Sequence, residues 1–114
     1  MRTLLLLVVL ALASTAAEKK HFLLTLTLTR DLDQLSPAQQ ETLRHHADYL
    51  NKLYLNGRLA TGGRVEDPKR PTGMAVLEVD SESDAKGIVA GDPAVRSGLM
   101  VGKLQPFFLA FPPR

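Results

Sequence analysis

The residues best suited by type to move protons are the adjacent histidines His45 and His46 and the aspartate of the Asp92-Pro93 step. An imidazole, with an ordinary pKa of about 6.5, exchanges protons near neutrality. Neighbours in a helix project about 100° apart, so His45 and His46 are not a metal pair, which would need i, i+4 spacing. The pattern around them separates their roles. His46 falls among Leu43, Leu50 and Leu53, whereas His45 shares an outer face with Glu41, Asp48 and Lys52. An imidazole on an apolar face needs partners for its polar nitrogens. A backbone carbonyl would make His46 a satisfied core residue, and the stripe taken alone favours that reading. Asp92 also has a structural use: Asp is a good helix N-cap and Pro a good first helical residue. Gly62-Gly63 implies tight backbone and matches no phosphate loop, and Lys69-Arg70 reads as a hairpin tip. The chain contains no nucleophile-elbow, zincin, Walker or dinucleotide motif.

The elements that must position these side chains can be read in order. Phe22, Leu24, Leu26 and Leu28 alternate with Thr25, Thr27 and Thr29, the period of a strand with one buried face. A polar connection over 31–35 leads to Ser36-Pro37-Ala38-Gln39, a cap, a helix-starting proline and a capping-box glutamine. The helix should reach about Asn56, with Gly57 supplying the left-handed turn that ends it. Its expected buried stripe is Leu43, His46, Ala47, Leu50, Leu53 and Tyr54. A short extended piece over 58–63 and a turn over 64–71 precede a second clear strand over 72–79. Ser81 to Gly91 reads as a shorter helix, Asp92-Pro93 as a turn or one helical turn, and 99–111 as a last extended segment, broken by Pro106, with Phe107, Leu109 and Phe111 on one face.

The order β-α-β-β-α-β predicts an α+β, ferredoxin-like domain, an antiparallel sheet with two helices on one face. Such a sheet leaves its other face open, and a domain of this size buries a modest share of its apolar surface. A homodimer covering that face is therefore expected.

Residues 1–17 carry the pattern of a cleavable signal peptide. Arg2 precedes an apolar run from Thr3 to Ala13, and Ala13-Ser14-Thr15-Ala16-Ala17 supplies small residues for cleavage near Ala17. The run is too short to span a bilayer, which takes about 20 apolar residues. The expectation is a single domain over 18–114, periplasmic or secreted, with no membrane attachment after cleavage. Without the signal the chain holds thirteen basic and twelve acidic residues, a net charge of +1, which is no footprint for nucleic acid. There is no cysteine, which excludes a thiol nucleophile, a cysteine-ligated zinc and a lipid-modified cysteine. No metal or other cofactor is called for.

His46, Tyr49-Leu50, Leu53 and Gly57, followed by Leu59 and Gly62-Gly63, resemble the first-helix motif of the YCII-related (YciI-like) family. Gly73, the 81–90 helix, Asp92-Pro93 and Gly98-Leu99 fall in the order of that family's remaining landmarks, so the resemblance spans about 21–111. The resemblance implies a ferredoxin-like fold that dimerises as an α/β barrel. It also implies a pocket in which His46 faces Asp92 as a catalytic pair, the carboxylate fixing the ring's tautomer and raising its basicity. The function it implies is lyase- or isomerase-type proton transfer on a small organic molecule. The alternative is a non-catalytic, ligand-binding or stress-related dimer using the same cleft.

Overall fold

A computed structural model describes residues 18–114; the expected signal peptide over 1–17 lies outside the described residues. The elements run β1 (Lys20–Leu28), α1 (Pro37–Leu55), β2 (Leu59–Val65), β3 (Thr72–Val79), α2 (Glu82–Gly91), α3 (Pro93–Arg96) and β4 (Met100–Pro106), with a 3-10 turn at Leu32–Gln34. The four strands form one antiparallel sheet in the order β2-β3-β1-β4. This is the ferredoxin-like α+β architecture.

The alternation of β1 sets the two faces. Phe22, Leu24, Leu26 and Leu28 are buried beneath the helices, packed with Ala75, Leu77 and Val79 of β3 and with Ala85 and Ile88 of α2. Thr25 and Thr27 lie on the opposite, helix-free face, where Val65, Met74 and Val101 are also exposed.

The local signals act as expected at both ends of α1. Ser36 accepts from the Gln39 N–H at 3.1 Å, and the Gln39 side chain accepts from the Ser36 N–H at 3.0 Å, closing the capping box. Gly57, at φ 78°, turns the chain out of the helix, a conformation that glycine adopts without a β-carbon penalty. At the other end of the β2–β3 hairpin, Asp67 accepts from the Lys69 and Arg70 N–H groups, both at 2.9 Å. The two bonds, that from Arg70 first, hold its carboxyl below the usual range. The hairpin tip docks on the 31–35 connection through Arg70 and Asp31, 2.6 Å apart, and through a Leu32 N–H to Lys69 carbonyl bond.

Three expectations are corrected. The last extended segment breaks at Pro106, as the proline implied, but the strand does not resume toward Phe111. β4 pairs only with β1, and β1 begins at Lys20, so after the Phe107 N–H to His21 carbonyl bond no strand remains to pair with. Phe108 and Phe111 are accordingly 86% and 92% exposed. The stripe of α1 is narrower than its spacing suggested, with Ala47 and Tyr54 exposed while His46 and Leu53 are buried. Finally, β2 runs to Val65, two residues beyond the glycine pair, with an irregular register between Leu59 and Thr61. Among the described residues no helix is long and apolar enough to cross a membrane.

Candidate functional site

α1 brings His46 inward from the middle of a nineteen-residue helix, and Asp92 is the residue that caps the start of α3. The two side chains, 46 residues apart in sequence, meet with His46 Nδ1 2.7 Å from Asp92 Oδ2. Both are buried, at 8% and 1% exposure. The other carboxylate oxygen, Oδ1, accepts from the Ala94 N–H at 2.9 Å and caps α3. The capping role that the sequence suggested for Asp92 and the pairing with His46 are therefore held simultaneously, one by each oxygen.

A carboxylate only accepts, so Nδ1 carries the ring hydrogen and donates it to Asp92. In the neutral ring the lone pair then sits on Nε2. That nitrogen makes no hydrogen bond with the described residues, and no buried side-chain nitrogen or oxygen among them is left without a partner. Nε2 is thus not sealed in the core, and the ring of His46 borders a cleft of about 970 Å³.

The cleft lies between α1 and the β2–β3 end of the sheet. Leu43, Ala47, Leu50 and Tyr54 form its helical wall, and Leu59, Ala75 and Met100 its floor. Asn51 and Arg64 add polar side chains to its lining, and Glu66 and Asp67 stand at the hairpin side. Gly62 and Gly63 contribute backbone to the wall. A β-carbon on Gly62 would lie 2.8 Å from the Met74 carbonyl, so the first glycine serves close strand packing.

Tyr49, one turn after His46, fixes the approach of the helices. Its hydroxyl donates to the Ile88 carbonyl at 2.7 Å, tying α1 to the last turn of α2 just before Asp92. A β-carbon on Gly91 would come 2.7 Å from that hydroxyl, so the residue preceding Asp92 has to be small. Burial, and then the nearby Asp92 carboxylate, push the Tyr49 phenol above its ordinary value. Reading the sequence by residue type attached no role to Tyr49, because a tyrosine at helical spacing does not disclose a bond to a distant carbonyl.

His45 is exposed and lies 3.3 Å from Glu41, as its outer position implied. His21, the third histidine, lies 3.1 Å from Glu78, directly opposite it on β3 and away from the cleft. No group of three or more potential metal ligands occurs among the described residues.

The fold and the site define an α+β domain with a His–Asp pair beside an apolar cleft. The model of the YCII-related domain matches residues 13–104, and the chain belongs to that family. An uncharacterized protein from Thermotoga maritima has a similar structure, with a TM-score of 0.53 at 14% identity, covering 80% of this chain and 100% of that one. A 5-chloro-2-hydroxyhydroquinone dehydrochlorinase from Burkholderia phenoliruptrix, solved with 2,5-dihydroxybenzoquinone, aligns with a TM-score of 0.47 at 19% identity, over 75% of this chain and 93% of that one. No curated protein matches the sequence.

Two measurements check this geometry. Long-range 1H–15N spectra at neutral pH should show His46 as the Nδ1–H tautomer; an Nε2–H tautomer would contradict the pairing. For Tyr49 the sign follows from a raised phenol. Its contribution to stability is complete below the ordinary phenol range and is lost as pH rises through the higher folded-state value. Urea midpoints from pH 8 to 11.5 should therefore fall more steeply for the wild type than for Tyr49→Phe. At pH 8 the variant should itself be less stable by about 1 kcal/mol, the worth of one hydrogen bond.

Proposed function

We propose that the cleft binds a small organic molecule and that His46 exchanges a proton with it, in a reaction of the lyase or isomerase type. The observation that carries the proposal is the orientation of the ring: Asp92 holds Nδ1 at 2.7 Å while the ring borders the cleft. Nε2 takes a proton from a carbon next to a carbonyl, and the electron pair of that bond moves into the carbonyl system. Asp92 stabilises the resulting imidazolium. In an isomerisation the proton returns to a second carbon. In an elimination the electron pair expels a leaving group, and the proton passes to it or to water.

The protein is further proposed to act as an exported homodimer. The small-residue pattern at 13–17 supports export, and N-terminal sequencing of the mature protein should begin near Glu18. The helix-free sheet face, with Val65, Met74 and Val101 exposed, supports the dimer, which sedimentation would detect.

The reaction is tested by incubating the purified protein in D2O with small cyclic carbonyl compounds and following deuterium uptake at carbon by NMR. Uptake should fall at least about a hundredfold in His46→Ala, the usual scale of one general base, and less in Asp92→Asn. A ligand that raises Tm without any exchange, with the rise lost in His46→Ala, would replace the enzyme by a binding protein using the same cleft. A full Tm rise in His46→Ala would remove the cleft from the function altogether.

A further inference from the structure

β2 does not keep the two-residue alternation of a regular strand. Leu59 faces Leu77 across the ladder, but Thr61 faces Val76, so one residue, Ala60, is inserted between them. The insertion reverses which side chains beyond it point at the helices. With regular alternation Thr61, Gly63 and Val65 would share the side of Leu59, and Arg64 would lie on the open face. With the insertion, Gly62 pairs with Ala75 and Arg64 with Gly73 on the helix-covered side, while Val65 goes to the open face, where it is exposed. The irregularity therefore exchanges an apolar valine for an arginine at the cleft. Re-aiming a side chain is a recurrent use of bulges beside functional sites. Gly73, opposite Arg64, has no side chain to compete for the space.

Arg64 is also within reach of a molecule held at His46. The Arg58 N–H meets the Leu53 carbonyl at 2.9 Å, which places the start of β2 beside the end of α1. Arg64 is five residues beyond Leu59, about 16 Å of strand, and that distance spans about eleven residues of helix. It brings Arg64 level with Leu43, one turn from His46, and both line the same cleft.

We propose that Arg64 is the specificity-determining residue of the cleft and that the ligand is a small monoanionic carboxylate with an apolar body. This rests on the assignment of the cleft as the binding site and adds the class of molecule it takes. A guanidinium presents a planar fork that fits a carboxylate through two parallel hydrogen bonds. The fork of Arg64 is available: its closest acidic group is Glu66, 3.9 Å from Nε and itself turned to solvent. Asp67 is engaged with the hairpin backbone through Oδ1. Arg64 is the one lysine or arginine lining the cleft among the described residues, so it matches a single ligand charge and not two, which favours a carboxylate over a phosphate dianion. The remaining walls, Leu43, Leu50, Leu59 and Ala75, suit an apolar ring or short chain. Carboxylate on Arg64 and body against these walls would set the reacting carbon toward His46 Nε2.

The probes are benzoate, benzamide and phenyl phosphate, titrated into the purified protein and followed by NMR shifts of cleft methyl groups. Benzoate should bind at least tenfold more tightly than benzamide or phenyl phosphate. Arg64→Gln should weaken benzoate at least tenfold and leave benzamide unchanged, and Arg64→Lys, which keeps the charge and loses the fork, should fall between. Arg64 is exposed enough that these variants should fold, which the retained spectrum verifies. His46→Ala should keep the preference for benzoate over benzamide. Equal benzoate affinity in wild type and Arg64→Gln, tighter binding of phenyl phosphate, or no cleft shifts with benzoate would each overturn the proposal. Benzoate binding that depends on Arg64, without deuterium exchange on any substrate, would sink the proton-transfer reading alone.

Discussion

Asp92 carries a carboxylate almost completely out of water, and the packing of three elements is set by the need to meet its oxygens there. Withdrawing such a group from water costs several kcal/mol, and charge-assisted hydrogen bonds recover that cost only with good geometry. One oxygen is met by the first turn of α3 and the other by a ring from the middle of α1. α1 cannot slide or rotate against α3 without stranding the carboxylate. The Tyr49 bond to the Ile88 carbonyl and the absence of a side chain at Gly91 hold the same approach from the α2 side. The constraint is thus mechanical as well as electrostatic: the chemistry-bearing ring is held by the contact that aligns the helices.

The sheet supplies the opposing wall. Leu24, Leu26 and Leu77 are among the most deeply buried side chains, and they form a floor on which α2 and α3 rest. α1 extends past that floor toward β2, the edge strand, and there its side chains have less to pack against. The cleft is the space left between a long helix and a short, glycine-containing edge strand. Gly62 lets β2 lie close to Met74 and Ala75, which keeps the wall regular below the hairpin.

Much of this was legible in the sequence where the signal is local. The alternation from Phe22 to Leu28, the capping box at Ser36 and Gln39, and the left-handed glycine at 57 each depend on a few neighbouring residues, and each forms as read. What was not legible depends on partners elsewhere in the chain. Pro106 marks a break in the last segment, but nothing near Phe107 announces that β1 begins at Lys20 and leaves no strand beyond it to pair with. Nothing in Leu59-Ala60-Thr61 announces an inserted residue, because the insertion exists only relative to β3. The role of Tyr49 likewise resides in a carbonyl 39 residues away. His46 and Asp92 stand between these cases. By type each had a sufficient structural explanation, and only the family resemblance placed them together.

The corrected stripe of α1 bears directly on how one histidine can serve both core and cleft. Successive helical residues turn by about 100°, so His46, Tyr49 and Leu53 lie along one line and Leu43, Ala47, Leu50 and Tyr54 along the next. The first line carries the contacts to Asp92, Ile88 and the core, and the second lines the cleft. An apolar stripe too wide for the core alone is what a helix needs when it must pack on one side and bound a ligand space on the other. His46 is at the border of the two lines, and a ring there can place Nδ1 inward and Nε2 outward. A histidine one position later, at 47, would face the cleft but lie a full step away from Asp92. Neither 49 nor 53 lines the cleft, so a ring there would present no free nitrogen to it. The position that reads as an ordinary core site is therefore the one on this helix from which a ring can be both anchored and reactive.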